Sequence, residues 1–196
     1  MATTTQLTLS THPALLIIDM QNGFLHPSGT FGTLGLDTSR LRAVVPAINN
    51  LRSLAHSLSI PVFFTRLAWN EDYSDSGILL TSVPYGEAAR QVKGFIRGTW
   101  DVEVVDELAP QEGEVVIDKT RHTAFYDTSL ESELQRRGVD QLIVTGVGTN
   151  VCVESTVRDA VTRGWHCVLV EGATATLDEE EEKAVEEELK KKAATE

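Results

Sequence analysis

Three side chains draw attention by their chemistry and by what precedes each of them. Asp19 follows the apolar run A-L-L-I-I (14–18), Lys119 follows E-V-V-I-D (114–118), and Cys152 follows L-I-V-T-G-V-G-T-N-V (142–151). A carboxylate, an ammonium and a thiol in one cleft are a coherent set for acyl transfer. The carboxylate can take the thiol proton as general base, and the ammonium favours the thiolate. The thiolate can then attack a carbonyl carbon without a metal. Each residue also has a plain alternative: Asp19 as a solvated loop acid, Lys119 as a partner of Asp118, Cys152 as core packing.

For these residues to meet, the elements before them must run side by side. The stretch 142–155 reads as a strand, a tight turn at Gly146 and Gly148, and a helix restarting at Thr149-Asn150. Cys152 then falls in the first helical turn, where unpaired N–H groups and a partial positive charge favour a thiolate and can receive an oxyanion. The N–H groups of Gly148 and Cys152 are the expected oxyanion hole. Strands are expected at 14–18, 61–65, 114–118, 141–145 and 165–170. Helices are expected from 41 to 58 (with Pro46 a possible kink), 101–108, 127–137 and 149–163, and in the tail from Asp178. Strands alternating with helices predict an α/β, three-layer Rossmann-like fold with a mostly parallel five- to six-stranded sheet and helices on both faces. Ligands of such sheets sit beyond the carboxyl ends of the strands, where Asp19, Lys119 and Cys152 would all project. The loop aromatics Phe24, Trp69, Tyr73 and Tyr126 are the expected pocket wall. His122, and His26 less directly, lie in loops near the same edge. Gln21 and Asn150, close to Asp19 and Cys152, complete the expected substrate-binding set.

Composition narrows the classes. The 196 residues suit a single domain over 1–196, with 178–196 a charged tail holding four Lys against nine Asp and Glu. A net charge of -12 argues against nucleic acid and anionic membranes as partners. No apolar run reaches the roughly 20 residues needed to span a bilayer. The polar start lacks the basic and apolar regions of a signal peptide, and two Cys make no disulfide framework, so the cytoplasm is expected. His12, His26, His56, His122 and His166 are scattered, and no metal is expected. G-V-G-T-N-V-C lacks the Lys-Ser/Thr of a phosphate loop and the third Gly of a dinucleotide site, and no cofactor is expected.

Three segments, I-I-D-M-Q-N-G-F (17–24), D-K-T-R-H-T-A-F (118–125) and V-T-G-V-G-T-N-V-C-V-E-S-T-V-R-D (144–159), resemble the isochorismatase-like cysteine hydrolases over about 13–175. That resemblance implies a catalytic triad of Asp19, Lys119 and Cys152, a cis peptide at Val147-Gly148, a six-stranded and mostly parallel sheet, and a homodimer or homotetramer. Nicotinamidases of the family carry an Asp and His metal site after strand two. Here T-R-L-A-W-N-E-D-Y (65–73) has no His. R-G-T-W-D (97–101) and V-D-E-L-A-P (105–110) look closest to the ureidoacrylate and biuret amidohydrolase branch, although Leu67 stands where that branch tends to be polar. The implied function is metal-independent hydrolysis of a C–N bond in a small amide or ureido compound through a thioester. The alternatives are an isochorismatase-type vinyl ether hydrolase, in which Asp19 acts as the acid and the cysteine is dispensable, and a non-catalytic α/β scaffold. A signalling receiver-like domain fits less well, because Met20 follows Asp19 where an acidic pair is required.

Overall fold

The computed structural model describes residues 9–178 and Glu180. The expected helical tail therefore lies almost wholly outside the described residues. The chain runs β1 (Pro13–Ile18), α1 (Asn22–Leu25), α2 (Thr30–Thr33), α3 (Ser39–Ala43), α4 (Val45–Ser57), β2 (Val62–Leu67), α5 (Leu79–Ser82) and α6 (Gly86–Gln91). Two 3₁₀ turns, Trp100–Val102 and Asp106–Leu108, lead to β3 (Val115–Lys119), α7 (Leu130–Arg136) and β4 (Gln141–Val147). A π-helical turn (Thr149–Val153), α8 (Glu154–Thr162) and β5 (His166–Ala175) follow. The five strands form one all-parallel sheet in the order β3-β2-β1-β4-β5.

β1 is the middle strand, and all six of its residues are buried. Leu15 and Ile17 pack with Leu41, Ile48 and Ala55 of α3 and α4. Ala14, Leu16 and Ile18 pack on the opposite face with Leu130 and Leu134 of α7 and Ala160 of α8. A continuous apolar run is what a strand covered on both faces requires. The chain leaves β1 toward one face and leaves β4 toward the other, so a crevice opens between the carboxyl ends of these neighbours. A third apolar cluster, Leu67, Trp69, Tyr73, Leu79, Leu80, Ala89 and Phe95, builds up the wall beyond β2.

Local chemistry explains most departures from the sequence reading. Pro46 lies in the first turn of α4, where a missing N–H costs nothing, so the long helix divides into α3 and α4 rather than kinking. The expected helix 101–108 is two separate 3₁₀ turns, because Val104 forms an antiparallel bridge with Gln21 between them. β5 runs five residues past its expected end. The Glu171-Gly172 pair breaks its apolar pattern, yet a register shift between Val144 and Gly146 lets it resume pairing at Thr174 and Ala175. Gly146 has φ 123°, and a Cβ there would stand 2.1 Å from the Ile18 carbonyl oxygen, so only glycine permits β1 and β4 to approach this closely.

Candidate active site

Asp19, Lys119 and Cys152 meet at the floor of the crevice. Asp19 follows β1 with φ 56°, a left-handed backbone that Asp tolerates better than most residues. Two backbone bonds hold this turn: the Asp19 N–H donates to Thr65 O (3.1 Å), and the Gln21 N–H donates to Asp19 O (2.8 Å). The carboxylate turns inward, where Oδ1 accepts the Thr65 hydroxyl at 2.9 Å and Oδ2 lies 2.7 Å from Lys119 Nζ. Lys119 is the last residue of β3 and is fully buried. Its ammonium also donates to the Arg121 carbonyl (3.0 Å) and to Cys152 Sγ (3.5 Å). Three donors thus meet three acceptors, the condition under which a charged lysine can be buried. The alternative pairing with Asp118 does not occur: Asp118 binds Arg66 and Arg97 instead.

Cys152 sits in the π-helical turn after Gly148 and is 6% exposed. Its helix is tied down by Thr156, whose hydroxyl donates to the Cys152 carbonyl (2.7 Å) and accepts the Ala124 N–H (3.1 Å). The Thr123 hydroxyl donates to Asp159 at 2.8 Å, a second tie between the loop after Lys119 and α8.

Burial and charge pull on these groups in opposite directions. Burial pushes the Cys152 thiol up to about 12, against the opposing pull of Lys119 and with the Asp19 charge adding to the rise. Burial thus opposes the pull of the helix start toward the thiolate, and a base beside the thiol, the role expected of Asp19, is needed to draw its proton. Burial works against the Lys119 ammonium, but Asp19, with Cys152 beside it, outweighs burial and holds its pKa above the usual lysine value. His122 lies at the same edge. Burial and then the Lys119 charge lower its pKa, against the smaller pull of Asp19, and so favour the neutral imidazole.

A cavity of about 460 Å³ opens above these groups, in the size range of small-molecule sites. Of the residues expected on its walls, Phe24, Trp69, His122 and Asn150 line it. Gln21 does not. It is fully buried, donating to the Leu67 and Val102 carbonyls (2.9 and 3.2 Å) and accepting the Leu67 N–H (2.7 Å), so it splices the β1 turn to β2. Tyr73 does not line it either: its ring fills the cluster beyond β2 and its hydroxyl donates to Gly94 O (2.9 Å). Tyr126 is 51% exposed under the Arg121 guanidinium. His26 stands edge-on to Trp100, away from the cavity.

The oxyanion expectation changes as well. Gly148 lines the cavity, but its N–H donates to the Ala175 carbonyl at 2.8 Å and is already used. The described residues contain no cis peptide, so Val147-Gly148 is trans. The physical reason is the longer β5: Val147 pairs with Ala175, and the next N–H continues that ladder.

Several contributors escaped the sequence reading. Thr65 lies inside β2, paired with the last residue of β1, and it ends the strand expected at 61–65, so the strand-end logic could have found it. Phe31 and Phe95 line the cavity, and Asp101 holds that wall in place. The Asp101 carboxylate accepts the N–H of Thr30 (2.9 Å), the hydroxyl of Thr30 (2.7 Å) and the N–H of Phe95 (2.7 Å). No local pattern signals that role.

The Isochorismatase domain family matches residues 13–195. A cysteine hydrolase from Pseudomonas syringae pv. phaseolicola is 33% identical over 84% of this chain and 73% of its own, with a TM-score of 0.74. An isochorismatase family protein from Desulfovibrio vulgaris subsp. vulgaris is 28% identical over 92% and 90%, with a TM-score of 0.78. An N-carbamoylsarcosine amidase from Thermoplasma acidophilum is 25% identical over 88% and 90%, with a TM-score of 0.71.

Proposed function

The chain belongs to the isochorismatase family of hydrolases, and from that premise we propose that it is a metal-independent amidohydrolase working through a Cys152 thioester. The observation that carries this reading is the position of Lys119 Nζ, 2.7 Å from Asp19 Oδ2 and 3.5 Å from Cys152 Sγ, just beneath a cavity that Asp19 and Cys152 line.

Because the resting cysteine keeps its proton, attack and deprotonation are coupled. As Sγ approaches the carbonyl carbon, Asp19 takes the thiol proton, and Lys119 stabilises the negative charge moving onto sulfur. The new S–C bond converts the carbonyl oxygen to an oxyanion. With the Gly148 N–H used by Ala175, its donor at the helix start is the Cys152 N–H, and the Lys119 charge acts on it from beneath the floor. The C–N bond then breaks, and Asp19 returns its proton to the leaving nitrogen. Asp19 next takes a proton from water, the hydroxide equivalent attacks the thioester, and the C–S bond breaks. The acid leaves and sulfur regains its proton from Asp19. Thr65 keeps the carboxylate oriented through both proton transfers.

The test is a screen of small amides and ureas for ammonia release, with mass spectrometry of the intact protein. The expected result is an acyl mass on Cys152 and loss of turnover in Cys152→Ala. Turnover that survives Cys152→Ala, with no adduct, would instead support vinyl ether hydrolysis by Asp19 and defeat the thioester reading. In solution a homodimer or homotetramer is the expected assembly, measurable by light scattering.

A further inference from the structure

Resting on the amidohydrolase reading, we propose that the substrate is a small amide whose acyl group is apolar and carries no carboxylate. The proposal comes from what the cavity presents to a ligand. Phe24, Phe31, Leu67, Trp69 and Phe95 close one side. Phe24 stands edge-on to Phe31 at 4.9 Å and lies 4.3 Å from Phe95, so the rings hold one another in place. The Trp69 indole N–H is turned to the Thr120 carbonyl (3.1 Å), which leaves the carbon face of the ring to the cavity. Val147, Val151 and Leu177 face them.

The charges point the same way. Among the described residues, the charged side chains lining the cavity are Asp19 and Asp178, both acidic. Lys119 lies beneath the floor with its charge opposed by Asp19. Arg97 and Arg121 stand close in the chain but are directed elsewhere: Arg97 to Asp118 and the Ala68 carbonyl, Arg121 to the Asp75 and Thr120 carbonyls. Among the described residues, a substrate carboxylate would lose its water here and meet the Asp19 carboxylate with no cation lining the cavity, an arrangement of high cost. An alkyl or aryl acyl group loses only unfavourable hydration. The same field suits turnover, since the acid produced is an anion beside Asp19 and is driven out.

The experiment compares 4-methylbenzamide with 4-carbamoylbenzoate, which share a ring and a scissile amide and differ in one methyl against one carboxylate. The expected kcat/KM ratio is at least about 100 in favour of the methyl compound, the scale on which an unpaired buried charge is rejected. Val83→Arg, a half-buried position on the cavity wall, should lower that ratio at least about tenfold by supplying a cation. Calorimetric titration of both compounds into Cys152→Ser reads binding independently of turnover and should rank them in the same order. Equal or preferential use of the carboxylate would overturn the substrate class and leave the amidohydrolase reading standing. If neither compound is turned over, the amidohydrolase reading takes the blow. The titration then decides the substrate class: tighter binding of the methyl compound upholds it, and tighter carboxylate binding, or binding of neither, overturns it.

Discussion

Lys119→Met removes the one charge that touches both Asp19 and Cys152 while keeping a side chain of similar length. Its consequence can be worked from two distances. With Nζ 3.5 Å from Sγ and an effective dielectric of about 20, the attraction between ammonium and thiolate is of the order of 5 kcal/mol. At 1.36 kcal/mol per factor of ten, thiolate formation becomes harder by about 10³ or more. The wild-type thiol already stands at about 12, so the variant should hold no measurable thiolate in the neutral range. Asp19, 2.7 Å from the lost ammonium, keeps the Thr65 hydroxyl and the Cys152 thiol as neutral partners, and breaking a buried pair costs about 3–5 kcal/mol of stability. Thermal melts must therefore accompany the kinetics, and Lys119→Met combined with Asp19→Asn should recover part of the lost stability without recovering activity. The assay is the pH profile of iodoacetamide labelling at Cys152, read by peptide mass spectrometry, beside kcat/KM for the best amide found. In the wild type, labelling should be slow at pH 7 and climb through the alkaline range. In the folded variant, labelling and acylation should fall together by about 10³. A labelling profile that does not move would refute the coupling of Lys119 to the thiol, and with it the proposed division of labour in the triad.

Glu114 is buried against Arg52, with bonds of 2.6 and 2.5 Å, and His56. Burial alone would raise its carboxyl, but Arg52, the Gln111 N–H and His56 hold it below the usual glutamate value. Its folded pKa is thus depressed, so its contribution to stability is present above the unfolded pKa and is lost as pH falls through the folded one. Glu114→Gln should cost about 3–5 kcal/mol at pH 7 in urea denaturation, with a gap to wild type that narrows below the ordinary carboxylate range; a gap independent of pH would contradict this. Gly146→Ala should destabilise by about 2–3 kcal/mol or more, because its Cβ meets the Ile18 carbonyl oxygen, and an unchanged urea midpoint would show that β1 and β4 can separate freely. Among the described residues no three His, Cys, Asp or Glu side chains are grouped to hold a metal, so activity should survive dialysis against a chelator; loss restored by zinc or manganese would count against a metal-independent reaction.

The residues at the centre of this molecule are legible in one dimension because their signals are local. An apolar run such as 14–18 announces a strand buried on both faces, and the polar residue ending it must lie at the sheet edge. Applied to Asp19, Lys119 and Cys152, that argument requires only that the strands be parallel, which the alternation with helices implies. The same argument stops where a residue's role depends on a distant segment. Gln21 carries the polarity of a ligand contact, yet the Leu67 and Val102 backbones claim it. Tyr73 and Tyr126 sit in equally plausible loops, and only packing turns one into the cluster beyond β2 and the other toward solvent. Gly148 loses its N–H to Ala175 because β5 resumes beyond Gly172, a pairing that no periodicity in 166–175 reveals. The largest difference concerns Cys152. Its sequence position at a helix start favours the thiolate, while burial pushes its pKa up and favours the thiol. Position along a chain is set by neighbours a few residues away; desolvation is set by everything that closes around the atom, and it exists only once the sheet, α8 and the loop after Lys119 have come together.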